Sequence, residues 1–418
     1  MDATAQAAEG ASGTTLISHL LESLTKRSNY LEEGVIHTNV DSAVSDGDSL
    51  SDLVTLLSSI TLAVKTVGSM VRRLGLPGSE ARSVNDINRI ANETWIRELT
   101  SSDACCVLVS EDLADPVVLD SPHRGTYAVV FDPLTGLADP PAQDMGAIFG
   151  VFRQLTNETK PGVEDVLQPA RNLVAAGYAV YGAATMMVLS YGAGVDGFTL
   201  DPTLSEFILT HENMRVPYSG RIYAINEGFA STMDPKAQTM LRALKDEPAL
   251  DGSTRTCRYI GSMVPELHRT IIRGGVYIYP AHAERPQGRL KLLYEAGPLA
   301  FIIEKAGGQA STGTRAILDI QPESVHHRVE CYMGSEDDIN LCTSHFRTAP
   351  WGRGPSADPM YSLRRSRSID ASMRVSLEAG LDVAARSGTG TLAGSPKKMA
   401  AGLGGEEDGF VCAYLPVL

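Results

Sequence analysis

The chemistry open to this chain rests on four acidic residues, Glu111, Asp112, Asp132 and Glu295. Carboxylate oxygens are the ligands that hard divalent cations such as Mg²⁺ require. Cys105 to Ser110 reads as an apolar strand ending in Glu111-Asp112. Tyr127 to Gly136 reads Tyr-Ala-Val-Val-Phe-Asp-Pro-Leu-Thr-Gly, a second buried strand that Asp132-Pro133 stops at a turn. If the two strands are neighbours, three acidic groups meet at one edge of a sheet. The plain alternative is two strands capped by acidic turns. Elsewhere lie Asn226, Arg258, Tyr259, Tyr279, Arg289 and Lys291. Arginine forks match phosphate oxygens bidentately, and tyrosine hydroxyls add neutral donors. Carboxylates for a metal and donors for an anion together point to metal-assisted phosphate ester chemistry. No P-loop, H-E-x-x-H or G-x-S-x-G signature occurs, and the nine histidines are scattered.

Those side chains need elements to hold them, and the chain is mixed α/β with strands and helices interleaved. Leu16, Leu20, Leu21 and Leu24 predict a short amphipathic helix. Ser51 to Leu74 is the clearest helix, with Leu53, Leu56, Leu57, Ile60, Val64, Val67 and Val71 at three- and four-residue steps. A helix follows from about Asp86 to Leu99, and others are expected over Pro235 to Asp246, around His268, and from Glu295 to Gly307. The uncharged run Asn172 to Val195 is long enough to span a bilayer. Its glycines, tyrosines and globular flanks favour a buried helix-turn-strand instead. Residues 1–48 read as a flexible N-terminal segment, and 348–418 as a low-complexity tail rich in Ser, Gly, Arg and Ala.

With 418 residues, 43% hydrophobic and 21% charged, the composition is that of globular protein with one or two large cores. A formal charge of −14 argues against a nucleic-acid surface. Six cysteines without C-x-x-C spacing suit a reducing compartment. No signal peptide is seen at the N-terminus, and a soluble protein is expected.

Several stretches resemble the fructose-1,6-bisphosphatase family. They are Gln168-Pro-Ala-Arg-Asn-Leu-Val-Ala-Ala-Gly-Tyr-Ala-Val-Tyr-Gly182, Asn226-Glu-Gly-Phe-Ala230, Arg258-Tyr-Ile-Gly-Ser-Met263 with His268-Arg-Thr270, and Leu292-Leu-Tyr-Glu295. The similarity runs from about residue 50 to 345. It implies a layered αβαβα sandwich, with a regulatory, metal-loop half over 49–215 and a sugar-phosphate-binding half over 216–347. It further implies a homotetramer and Mg²⁺-dependent removal of the sugar's 1-phosphate in gluconeogenesis, with Mn²⁺ as an alternative metal. By resemblance Glu111, Asp132, the carbonyl of Leu134 and Glu295 match metal ligands, and Asp112 stands where the family has Glu. Asn226, Arg258, Tyr259 and Tyr279 match the 6-phosphate set, with Arg258 reaching across a subunit boundary. Phe229 replaces a Tyr and Arg289 a Lys in that set. Met263 matches a sugar contact, and Lys291 replaces an Arg near the 1-phosphate.

The departures fall on the chemistry. The family reads D-P-L-D-G-S-S-N where this chain reads Asp132-Pro-Leu-Thr-Gly-Leu-Ala-Asp139. Thr135 thus stands for a metal-binding Asp, and Asn88 for an Asp tied to water activation. A neutral group replaces neither a base nor a counter-charge to metal. Reduced turnover is therefore expected. Asp86 or Asp139 would have to shift to compensate. The competing expectation is an impaired paralogue that binds sugar phosphate or assembles with an active subunit. A related sugar-bisphosphate or inositol-phosphate phosphatase fits the 6-phosphate set less well. No cysteine falls in 154–168, where plastid members carry their redox loop, so a cytoplasmic protein without a thiol switch is expected. Ser49, Leu50, Ser51 and Val54 replace the Gly/Thr-rich turn that binds AMP in the family, so AMP is expected to inhibit poorly.

Overall fold

The computed structural model describes residues 13–32, 47–74, 76, 77, 79, 83–119, 125–136, 145–155, 160–192 and 194–346, with the side chains of 26–32, 47–50 and 84 left aside. All of these belong to one compact unit. The expectations for residues 1–12, Asp139, the tail from 348, and the side chains of Ser49 and Leu50 lie outside the described residues.

Three helices open the chain: α1 (Leu16–Glu32), α2 (Gly47–Arg72) and α3 (Val84–Ser101). Ser83 and Asp86 start α3 with a reciprocal capping box. Ile87, Ala91, Trp95 and Leu99 then recur every four residues and are all buried. Eight strands follow: β1 (Cys105–Ser110), β2 (Val117–Val118), β3 (Tyr127–Thr135), β4 (Met145–Arg153), β5 (Ala175–Tyr181), β6 (Thr185–Ser190), β7 (Asp196–Asp201) and β8 (Glu206–His211). They form one sheet in the order β2-β1-β3-β4-β5-β6-β7-β8. The remainder comprises β9 (Ile222–Ala224), α4 (Pro235–Asp246), β10 (Thr256–Cys257), α5 (Met263–Arg273), β11 (Val276–Tyr279), β12 (Leu290–Lys291), α6 (Gly297–Lys305), β13 (Gln309–Ser311), β14 (Arg328–Val329), β15 (Cys331–Gly334) and α7 (Glu336–Ser344). Five of its strands make a second sheet, β10-β9-β11-β15-β13, and β12 pairs with β14.

Buried side chains arrange these elements in five layers. Leu16, Leu20, Leu56, Ile60, Val67 and Trp95 from the first helices pack on Phe131, Phe149 and Phe198 of the large sheet. The opposite face, with Val107, Val130 and Ile148, meets Val264, Leu267, Leu299 and Ile302 of α5 and α6. Those helices also cover Tyr277, Tyr279, Cys331 and Met333 of the small sheet. Its outer face, with Tyr223, Ile278 and Tyr332, is closed by Met240 and Leu244 of α4 and Ile339 of α7. The result is the expected αβαβα sandwich. The segment Ser51–Arg72 is long and apolar enough to cross a membrane. Its stripe of Leu53, Leu56, Leu57, Ile60, Val64 and Val67 is nevertheless spent on this core.

Three local expectations are corrected. Strand β3 does not stop at Asp132-Pro133: an irregularity between Asp132 and Thr135 is absorbed, and Thr135 still pairs with Gly146. The run Asn172–Val195 is a hairpin of β5 and β6 rather than helix-turn-strand. Both faces of β5 are buried, so its alternation is hidden in continuous apolar sequence. Gly177 there lies so close to Phe149 and the Val188 carbonyl that a Cβ would come within 2.7 Å of each. Finally, Glu295 does not open α6; it sits in a π-helical turn, Leu292–Ala296, that precedes it.

Candidate metal and anion site

Alternation along β3 sends Tyr127, Val129 and Phe131 to the outer helical layer, and Ala128 and Val130 to the middle layer. Asp132, next in the alternation, belongs to the middle-layer face. Strand β1 runs parallel to β3 with Ser110 opposite Phe131, and the Glu111 N–H donates to the Phe131 carbonyl at 3.1 Å. This register sets Glu111 beside Asp132. Glu295 arrives from the other side, held in its turn by the Lys291 N–H. Carboxylate oxygens of Glu111, Asp132 and Glu295 all lie within 4.8 Å of one another. The expected meeting of strand-end carboxylates is present, with Glu295 in place of Asp112 as its third group.

Three carboxylates cannot crowd so closely at no cost. Burial, then the charges of Glu111 and Glu295, push Asp132 well above the usual carboxylate range. Burial, then Glu111, raises Glu295 to about 8, although the Lys291 N–H opposes the shift. Asp132 Oδ1 accepts the Leu134 N–H at 3.2 Å, whereas its buried Oδ2 has no hydrogen-bond partner. An orphaned carboxyl oxygen in a cluster whose charges repel one another fits a divalent cation, and the donor set is all oxygen. Leu134 is tied to this group through its N–H.

A pH dependence follows from the raised carboxyls. Below about 8 Glu295 holds its proton, and a metal must displace it. Mg²⁺ affinity should therefore rise between pH 6 and 8, by up to roughly tenfold per unit for each proton displaced. Calorimetry in two buffers of different ionisation enthalpy should show proton release. An affinity flat across that range, with no proton released, would contradict the assignment.

Asp112 stands apart from the cluster. Asn88 Nδ2 donates to its Oδ1 at 2.6 Å. Desolvation raises the Asp112 carboxyl, the Asn88 amide opposes the shift, and Glu111 adds to it. Asp86 does not replace the missing carboxylate, because its Oδ2 accepts from the Ser83 N–H and hydroxyl in the cap of α3. Asp139 lies outside the described residues. Thr135 ends β3 just past the irregularity.

The anion set gathers around the small sheet. The Arg289 guanidinium lies 5.7 Å from the centre of the Tyr279 ring and interacts electrostatically with Tyr259 and Glu295. Tyr259 packs on the middle layer, where Met263 is buried at the start of α5. Lys291 is buried, with its Nζ 3.1 Å from the Tyr294 hydroxyl. Phe229 stacks on His282 at 4.1 Å and 10°. The Asn226 side chain accepts the Gly228 N–H at 3.0 Å. Arg258 is exposed at the end of β10. Sequence reasoning passed over two histidines. His282, three residues after Tyr279, and His326, 2.7 Å from the Tyr294 hydroxyl, could have been found only through the pairing of β11 and β12 with distant strands.

Known proteins similar to this chain share its fold. The profile of the fructose-1-6-bisphosphatase N-terminal domain matches residues 32–212, and that of the C-terminal domain matches 216–347. Fructose-1,6-bisphosphatase isozyme 2 of Rattus norvegicus is 44% identical over 299 residues, covering 69% of this chain and 87% of the relative. The cytosolic fructose-1,6-bisphosphatase of Solanum tuberosum is 41% identical over 302 residues, covering 70% and 88%. The crystal structure of Leishmania major fructose-1,6-bisphosphatase in holo form superposes with a TM-score of 0.70 at 35% identity, covering 80% of this chain and 99% of that one. With both domains matched and the layered architecture shared, the chain belongs to the fructose-1,6-bisphosphatase family.

Proposed function

We propose that this chain is a divalent-metal-dependent phosphatase that removes the 1-phosphate of fructose 1,6-bisphosphate, in the gluconeogenic direction and at reduced turnover. The observation that carries this reading is the Glu111–Asp132–Glu295 cluster with its unpartnered Asp132 Oδ2. Glu111, Asp132 and Glu295, with the Leu134 carbonyl, would hold Mg²⁺ or Mn²⁺. A bound ion supplies Lewis-acid polarisation of a phosphoryl oxygen and offsets its charge. Lys291 holds the 1-phosphate, and Asn226, Arg258, Tyr259, Tyr279 and Arg289 take the 6-phosphate beside Phe229. Met263 contacts the sugar. Asp112 accepts the proton of the attacking water while the Asn88 amide orients its carboxylate. That same bond occupies one Asp112 oxygen, and Thr135 adds no charge, so turnover falls.

The 2.6 Å Asn88–Asp112 bond also favours a second reading. In it, Asp112 is too well satisfied to act as a base, and the chain is an impaired paralogue that binds sugar bisphosphate or assembles with an active subunit. Phosphate release with Mg²⁺ and with Mn²⁺ separates the two. A kcat within tenfold of a typical ~10 s⁻¹ sinks the paralogue reading. Release no faster than buffer, with sugar bisphosphate still bound, sinks the enzyme. The same proposal carries a cytoplasmic location, a homotetramer or mixed oligomer, halves dividing near residue 215, and no nucleic-acid or membrane partner.

A further inference from the structure

Pairing of β12 with β14 sets Lys291 opposite Arg328, and the Leu292 N–H donates to the His327 carbonyl at 2.7 Å. This ladder carries the turn at Ser324–His327 against the π-helical turn of Tyr294 and Glu295. Tyr294 is fully buried. Its hydroxyl lies 3.1 Å from Lys291 Nζ and 2.7 Å from His326 Nδ1. The two rings meet edge to face at 5.9 Å and 78°.

Elementary donor counting fixes the first link of this chain. An ammonium group has donors and no acceptor. The Tyr294 oxygen therefore accepts from Lys291, and in the Nε2–H tautomer of His326 the hydroxyl proton is donated to Nδ1. Both links hold the buried hydroxyl in one orientation. Lysine is also a point charge on a flexible stem, without the preorganised fork of arginine, so its direction has to be set by its neighbours.

We propose that Tyr294 and His326 are positioning residues for anion recognition: the imidazole orients the hydroxyl, and the hydroxyl fixes the Lys291 ammonium where it meets a phosphate of the sugar bisphosphate. This rests on the reading above that Lys291 faces a phosphate.

Calorimetry on the full chain with inorganic phosphate and with fructose 1,6-bisphosphate tests it, with no need for turnover. Tyr294→Phe should weaken both by roughly tenfold, and His326→Ala by about three- to tenfold. His326→Asn, whose Oδ1 stands where Nδ1 stood, should bind within about twofold of the parent, whereas His326→Gln should behave like the alanine variant. In a Lys291→Met background Tyr294→Phe should change nothing further. A Tyr294→Phe effect equally large in that background, or absent from the parent, overturns the proposal alone. Failure of the parent chain to bind either ligand overturns the phosphatase reading and this inference with it.

Discussion

Asp132→Asn should reduce divalent-metal affinity by at least about a hundredfold and phosphate release by roughly two to three powers of ten, the cost typical of losing one preorganised electrostatic group. Asp132 contributes the orphaned oxygen at the centre of the cluster, and an amide cannot carry its charge. The same substitution should leave the metal-free protein more stable. The folded-state pKa of Asp132 is raised well above its unfolded value, so the folded protein binds the extra proton and loses stability as pH rises past the unfolded pKa of about 3.9. Asparagine removes that cost. Melting at pH 8 should therefore show a higher transition for the metal-free variant and no further rise on adding Mg²⁺, whereas the parent gains with metal. A variant destabilised without metal yet still stabilised by Mg²⁺ would show that Asp132 is structural and the cation sits elsewhere.

Much of this site was legible because strand ends are local. Apolar β-branched runs announce β1 and β3, and the acids that follow them must stand at the sheet's edge. Their parallel pairing was conditional in the sequence, since Glu111 meets Asp132 only if Ser110 faces Phe131. Helix α2 was legible over nearly its whole length, because one buried face leaves a clear stripe. Strand β5 was not. Both its faces are buried, and continuous apolar sequence serves a helix or a strand equally. Glu295 reads as a helix start because the one-residue widening of a π turn leaves no compositional mark. Asp112 illustrates a different limit: adjacency in sequence to Glu111 suggested a shared role, but its hydrogen-bond partner is Asn88, 24 residues earlier. His326 meets Tyr294 through a two-stranded pairing that neither segment signals alone.

Restoring charge should reverse the loss of turnover. In Asn88→Asp with Thr135→Asp, carboxylates return to the first turns of α3 and the end of β3. Asn88 already touches Asp112 at 2.6 Å, so an Asp there would face a second carboxylate at contact distance. Like charges so close raise at least one pKa and disfavour the metal-free state. A second cation then becomes the favourable partner, where today the amide proton fills that place. Thr135 remains in register with Gly146 beyond the irregularity after Asp132, so its side chain can be exchanged without breaking the ladder. Each single variant should help little, because a second cation needs both added charges, and the double variant should turn over roughly two to three powers of ten faster than the parent. Mn²⁺ titration followed by electron paramagnetic resonance should show more bound ions per chain in the double variant than in the parent. The added repulsion should also lower the melting temperature of the metal-free double variant, with Mg²⁺ restoring it. A folded double variant that binds no additional Mn²⁺ and releases phosphate no faster would mean that Asn88 and Thr135 are not what limits the parent.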